Sequence, residues 1–332
     1  MQQIKHNWTE KEILEIYRVP LLDLVHRAAT VHREFQTASE VQVSSLLSIK
    51  TGACPEDCAY CPQSARYKTG IGANSLMETE EVIEAAKKAK ESGATRFCMG
   101  AAWREVRDNG DFDKVLHMVK EVNALGMEVC CTLGMLTESQ AHRLAEAGLY
   151  AYNHNVDTSP EFYKKIITTR TYEDRIKTII NVRKAGITVC SGGIIGMGES
   201  IKDRIGMLLV LSSLNPHPES VPINALIPVK GTPLGSNKPI PVWEMVRMIA
   251  TTRIVMPKSV VRLSAGRVNI SKEGQALCFL AGANSIFLGE RLLTQANPGA
   301  NEDMEMFRIL GLKPRPAFKE LKRLEPGIEK DI

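Results

Sequence analysis

Between residues 44 and 289 the sequence repeats one theme eight times: a short apolar or β-branched run, followed by a longer stretch with apolar residues at helical spacing. The runs are SSLLSIKT (44–51), RFCMGAAW (96–103), MEVCCTLG (127–134), AYNHNVDT (151–158), TVCSGGIIG (188–196), VPINALIP (221–228), VVRLSAG (260–266) and SIFLG (285–289). The intervening stretches carry helix signals. ETEEVIEAAKKAKESG (78–93) and FDKVLHMVKEVNALG (112–126) both stop at glycine, and Thr137 stands three residues before Gln140, a capping-box spacing. TYEDRIKTIINVRKAG (171–186) predicts a helix burying the side that carries Ile176, Ile179, Ile180 and Arg183. NEDMEMFRILG (301–311) closes the series.

Eight such units in about 270 residues match an α/β fold of the (β/α)8 TIM type in count and length, in preference to an open doubly wound sheet. The expected organisation is an N-terminal helical extension (1–40), the barrel (41–312) and a C-terminal surface tail (313–332). No linker rich in Gly, Pro or Ser divides the chain.

A barrel turns alternate strand residues inward, where Val, Ile and Leu should dominate. Six of the eight runs depart from this. Cys98, Cys130, Cys131 and Cys190 sit in runs two, three and five. Asn153, Asn155 and Asp157 follow at spacing two and so share a face; Asn224 lies in run six, and Arg262 and Ser264 share a face of run seven. A lone buried cysteine is usually a small hydrophobe, which is the reading for Cys278. Burying so many polar groups without partners would cost about 1–3 kcal/mol each, so the interior reads as a cavity holding something polar or metallic. Cys130 and Cys131 are adjacent, and a strand turns only one of them inward; periodicity does not say which.

Charge excludes some functions. With 42 basic and 38 acidic residues the formal net charge is +4, too balanced for a nucleic-acid binder. The N-terminal stretch is polar and amphipathic, without the apolar core of a signal peptide, and no stretch approaches the ~20 apolar residues that span a bilayer. A cytoplasmic, non-membrane protein is expected. There the eight cysteines are thiols or metal ligands in preference to disulfides.

Three of them, Cys54, Cys58 and Cys61, form C-x3-C-x2-C directly after the first run, at the barrel face where active sites form. Structural zinc takes four ligands, a thioredoxin-like pair has no use for a third thiol, and ordinary ferredoxin clusters take four cysteines. Three thiolates on a [4Fe–4S] cube leave one iron free to bind a reactant. Pro55 and Pro62 favour a loop over a helix around the ligands.

At these residues the sequence resembles the radical S-adenosylmethionine (SAM) enzymes. In them the open iron binds SAM, and an electron cleaves it to methionine and a 5′-deoxyadenosyl radical. The stretches TGACPEDCAYCPQSARY, YNHNVDTSPEFY, TTRTYEDR, VCSGGIIGMGE, ESVPIN and VRLSAGR further resemble the biotin synthase family, a likeness running from about residue 10 to 312. The resemblance implies a sulfurtransferase acting last in biotin biosynthesis, converting dethiobiotin to biotin, with two clusters. Cys54, Cys58 and Cys61 would hold the [4Fe–4S] cluster; Cys98, Cys130, Cys190 and Arg262 would hold a [2Fe–2S] cluster that donates sulfur. Cys131 would then point out of the barrel. Arginine as a ligand rests on the resemblance alone, because a protonated guanidinium has no lone pair to offer.

By the same likeness, Asn153 and Asp157 contact SAM, Arg175 pairs with its methionine carboxylate, and the backbone of Ala101 and Ala102 meets its amino group. Asn155 and Asn224 are assigned to the ureido ring of dethiobiotin. A reduced flavodoxin or ferredoxin is implied as electron donor, and a homodimer as the assembly. Lipoyl synthase would need a further N-terminal cysteine cluster, whereas the first cysteine is Cys54. The hydrogenase-maturation relatives should lack the full set of Cys98, Cys130, Cys190 and Arg262. A non-catalytic iron–sulfur or zinc protein would account for the loop and not for the polar interior.

Overall fold

A computed structural model describes residues 4–289 and 291–318. The barrel strands are β1 (Glu40–Lys50), β2 (Arg96–Ala101), β3 (Glu128–Thr132), β4 (Ala151–Asn153), β5 (Thr188–Cys190), β6 (Gly193–Ile195), β7 (Ser220–Ala225), β8 (Val260–Leu263) and β9 (Ser285–Leu288). Three short strands follow: β10 (Arg291–Leu292), β11 (Gln295–Ala296) and β12 (Lys313–Pro314). Barrel neighbours pair in parallel around the ring, β6 extends the position of β5 alongside β7, and β9 returns to β1, so the sheet closes. Helices between consecutive strands cover the outside, among them Thr79–Glu91, Gly110–Ala124, Tyr172–Lys184 and Val242–Val255. The expected eight-position α/β barrel is the fold that forms.

The capping-box reading at Thr137 holds: its side chain accepts from the Gln140 amide, and Gln140 answers on the Thr137 amide. Before the barrel, helices Glu10–Arg18 and Leu21–Phe35 pack on the helix Val242–Val255. Arg247 Nη1 donates to the carbonyls of Tyr17 and Val19 between them, and Trp8 Nε1 donates to the Val255 carbonyl at 3.1 Å.

Three expectations change. The strand region opens at Glu40, four residues before the apolar run at 44, and Lys313–Pro314, expected in the surface tail, forms β12 and pairs with Glu40 and Val41. Residues 319–332 of that tail lie outside the described residues. The fifth run, read as one strand over 188–196, is two pieces flanking Ser191 and Gly192. Register explains this: Cys190 pairs with Ser220 and Gly193 with Ile223, so the gap falls opposite Pro222, which has no amide hydrogen to donate. The backbone comes so close there that a Cβ on Gly192 would stand 2.0 Å from the Pro222 carbonyl oxygen. Finally, the helix Tyr172–Lys184 buries Tyr172, Arg175, Ile179 and Val182 and leaves Ile180 exposed. Its inward face is centred on Arg175, whose charge is neutralised inside, and an apolar count misses that.

Gly192→Ala is therefore expected to destabilise by about 1–3 kcal/mol through overpacking. Gly110→Ala, where a Cβ meets nothing within 4 Å, should change little. Urea unfolding followed by circular dichroism separates the two, and equal midpoints would contradict the close approach.

Candidate functional site

The barrel encloses a cavity of about 250 Å³. Its walls include Cys98, Cys130 and Arg262, with Asn153, Asn155, Asp157, Asn224 and Ser264 above them. Asn153, Asn155 and Asp157 share it although β4 ends at Asn153. The chain stays beside its neighbour through His154 N–H to the Cys190 carbonyl (2.9 Å) and Asp157 N–H to the Gly192 carbonyl (3.1 Å).

Within the sheet Cys98 is level with Cys130, Asn153 with Cys190, and Arg262 with both Pro222 and Ser285. Cys130 is the inward thiol of its pair: it lines the cavity, whereas Cys131 is fully buried in the core between sheet and helices. Hydrogen bonding from Cys130 draws the Cys98 thiol below its ordinary pKa and pushes Cys130 up, with Arg262 and Arg96 also favouring the Cys98 thiolate. Burial raises Cys190.

Arg262 is 2% exposed and lies over the Phe287 ring, 4.4 Å from its centroid. Nε donates to Ser285 Oγ at 2.9 Å, Nη2 to Gln42 Oε1 and Ser44 Oγ at 3.2 Å, and Nη1 to Cys190 Sγ at 3.9 Å. Among the described residues no carboxylate pairs with it. Arg253, equally buried, is different: its N–H groups land on the oxygens of Pro257, Ser259, Gly282 and Asn284, and burial lowers its pKa to about 9. Below Arg262, Gln42 Nε2 donates to Glu128 (3.2 Å), which is paired with Arg96 (2.7 Å). A buried cation without a counter-ion is costly. Three thiols near it would supply the missing negative charge on binding a metal centre, so this donor set fits a cluster held by sulfur.

The second group of thiols lies on the loop after β1. Gly52 and Ala53 both take positive φ values, +72° and +51°, as the chain leaves the strand. The loop then closes on itself through Cys54 N–H to the Gln63 carbonyl (3.0 Å), Ala65 N–H to the Cys54 carbonyl (2.8 Å) and Cys61 N–H to the Cys58 carbonyl (2.9 Å). Cys58 is buried, Cys54 and Cys61 partly exposed, and Cys61 lines the cavity. Burial raises the Cys54 thiol, and pushes Cys58 up to about 11 and Cys61 to about 12. A metal must displace these protons, so its binding at neutral pH releases them.

Asp157 ties the two halves together. It has φ of +67°, is 2% exposed, and accepts from Tyr60 of the cysteine loop at 3.0 Å and from Arg175 Nη2. Arg175 also donates to Tyr163 Oη (3.0 Å) and the Asn155 carbonyl (2.9 Å), and stands behind Asp157, outside the cavity lining. Ala101 and Ala102 also lie outside the lining. The Ala102 amide donates to the Lys50 carbonyl (2.9 Å) and the Trp103 amide to the Ala101 carbonyl (2.7 Å), while the preceding residue, Gly100, faces the cavity.

The asparagines differ. Asn224 bridges strands through the Gly193 carbonyl and the Ala265 amide, and Asn155 Oδ1 takes the Gly192 amide opposite Pro222. Asn153 Nδ2 donates to Thr132 Oγ1, but its Oδ1 is buried with no hydrogen-bond partner. An orphaned acceptor on a cavity wall is a place for a ligand's donor.

Sequence reasoning missed Tyr60 and the small antiparallel hairpin of β10 and β11. Leu292, Leu293, Thr294 and Gln295 of this hairpin line the cavity. Gly100 lets it approach: a Cβ there would stand 2.9 Å from Leu293 Cδ2.

The chain is similar to known proteins along most of its length. Residues 48–211 match the radical SAM superfamily, and residues 222–313 the biotin and thiamin synthesis associated domain. The chain is 66% identical over 319 residues to a biotin synthase of Cytophaga hutchinsonii, covering 96% of this chain and 95% of that protein. With a biotin synthase of Flavobacterium psychrophilum it shares 63% over 321 residues, covering 97% and 89%. Among solved structures, methylornithine synthase superposes with a TM-score of 0.78 at 20% identity, covering 92% of this chain and 94% of that one. The hydrogenase maturase HydG does so at 0.78 and 16%, covering 92% and 72%. These two speak for the fold alone.

In metal-free protein, iodoacetamide should label partly exposed Cys54 before Cys58. Labelling of Cys58 and Cys61 should accelerate about tenfold per pH unit between pH 8 and 10, because their thiolate fraction grows tenfold per unit below the pKa. Peptide mass spectrometry measures both rates, and pH-independent labelling would contradict the burial of these thiols.

Proposed function

The chain belongs to the biotin synthase family of the radical SAM superfamily, and from that premise we propose that it converts dethiobiotin to biotin by inserting sulfur at two C–H positions. The observation that carries the proposal is one cavity with Cys61 of the three-cysteine loop on its wall and Cys98, Cys130 and an uncompensated Arg262 deeper in the barrel. Cys54, Cys58 and Cys61 would hold a [4Fe–4S] cluster; Cys98, Cys130 and Cys190, beside Arg262, would hold a [2Fe–2S] cluster. When bound, the first supplies the electron for SAM cleavage and the second supplies sulfur.

The chain's own groups then bind, orient and exclude water. Asn153 Oδ1, which has no partner among the described residues, accepts from a hydroxyl of SAM, and Asp157 takes a second one while hydrogen bonds from Arg175 and Tyr60 hold it in place. Three of the five N–H groups of Arg175 are engaged, which leaves two for the methionine carboxylate. The end of β2 at Ala101 and Ala102 bounds the place for the amino group. Asn155 Nδ2 and the Asn224 side chain offer hydrogen bonds to the ureido ring. Phe287, Leu292 and Leu293 give an apolar wall to the aliphatic part of the substrate, and the hairpin they adjoin keeps water from reactive intermediates. Hydrogen abstraction requires reacting atoms roughly 3–3.5 Å apart, which a rigid ring of strands can enforce.

We assign the electron donor to a reduced flavodoxin or ferredoxin, the assembly to a homodimer and the location to the cytoplasm. Among the described residues no helix is long and apolar enough to cross a membrane.

Alanine at Cys54, Cys58 or Cys61 is expected to abolish 5′-deoxyadenosine formation. Cys190→Ala should still release 5′-deoxyadenosine yet give no biotin, and Cys131→Ala should resemble the parent. Biotin made at the parental rate by the Cys190 variant would overturn the two-cluster assignment. Anaerobic single-turnover assays read by mass spectrometry check all of them.

A further inference from the structure

Outside the cavity lining, a second set of charges faces the three-cysteine loop. Arg170, its side chain 8% exposed, places Nη2 at 4.0 Å from Cys58 Sγ and Nε at 3.7 Å from Glu56 Oε2. Glu56 stands in the loop between Cys54 and Cys58, its side chain 3% exposed, with Oε1 at 3.6 Å from Arg104 Nε. Two buried atoms of this group, Arg170 Nε and Glu56 Oε1, have no hydrogen-bond partner. Charges are thus held within 4 Å of one another and of a loop sulfur, while Arg170 Nε and Glu56 Oε1 themselves make no hydrogen bond among the described residues.

The fastening is made by other atoms. Asp57 accepts from the amides of Thr168 (2.9 Å) and Thr169 (3.2 Å) and from both threonine hydroxyls, and Thr169 Oγ1 also bonds Glu56 Oε2. The Ala59 amide donates to the Ile166 carbonyl at 2.9 Å. The loop is already tethered to 166–169 through Asp57, Ala59 and Glu56 Oε2, so the ion pair from Glu56 to Arg170 adds little as a tether.

We propose that Arg170 and Glu56 act as opposed charges that set the electron affinity of the centre held by Cys54, Cys58 and Cys61, Arg170 raising it and Glu56 lowering it. The inference rests on the reading of that loop as a redox cluster site. A cation donating N–H to a cluster sulfur stabilises the added electron, and an anion in the same low-dielectric pocket opposes it. Arg104, on the far oxygen of Glu56, tempers the anion. Net affinity is the small difference between the two, which suits a centre that must accept an electron yet pass it to SAM.

The test is an anaerobic redox titration of full-length protein reconstituted with iron and sulfide, followed by electron paramagnetic resonance. At fixed ambient potential, Arg170→Gln should lower the reduced-to-oxidised ratio at least tenfold, a shift of about 59 mV for a one-electron couple. Glu56→Gln should raise that ratio, and Arg170→Lys should restore part of the loss. Opposite signs are what a merely structural role would not produce, since loosening the loop would move both variants the same way. Shifts of the same sign, or none, overturn the inference while leaving the cluster reading intact. A parent protein that assembles no redox-active centre overturns the reading, and this role with it.

Discussion

A guanidinium buried at the heart of the barrel, with sulfur beside it and no carboxylate in contact among the described residues, is the constraint to which the interior is fitted. Arg262 uses Ser285, Ser44 and Gln42 for three of its hydrogen bonds and turns Nη1 toward Cys190. Through Gln42 the network continues to Glu128 and Arg96, so β8, β9, β1, β3 and β2 share one polar layer. A packed apolar core would avoid that cost. On the proposed reading, a metal centre on Cys98, Cys130 and Cys190 would bring negative charge to the same place.

The cavity above that layer is shaped by a single proline. Pro222 withholds an amide from the sheet, the strand opposite breaks at Ser191 and Gly192, and on its other side the Gly192 amide donates to Asn155 Oδ1. Asn224, two residues beyond Pro222, repairs the far side of the break through Gly193 and Ala265. The side chains assigned to substrate therefore also maintain the barrel's open rim. Asp157, in a left-handed conformation, joins this rim to the cysteine loop through Tyr60 and to the outer helix through Arg175.

Much of this is legible in the residues themselves. Short apolar or β-branched runs locate the strands, and thiols in runs two, three and five with Arg262 in run seven mark the interior as unusual. The spacing of Asn153, Asn155 and Asp157 puts them on one wall, where they stand. What escapes depends on contacts distant in sequence. The break at Gly192 is dictated by a proline on a different strand, and no local pattern announces it. Apolar periodicity puts Ile180 inward because it gives no credit to a buried Arg175 neutralised by Asp157. The hairpin over the cavity lies in RLLTQANPG, which reads only as a loop, and Lys313–Pro314 joins the sheet through backbone pairing that side-chain composition does not encode.

On the proposed reading, one barrel holds a radical-generating centre and a sulfur source on either side of a single substrate. The most direct measurement is an anaerobic incubation of the reconstituted protein with SAM, a low-potential reductant and dethiobiotin, quantifying 5′-deoxyadenosine and biotin together by mass spectrometry. Both products are expected, with biotin absent when dethiobiotin is withheld. 5′-Deoxyadenosine without biotin, from protein whose iron and sulfide content shows both sites filled, would contradict it.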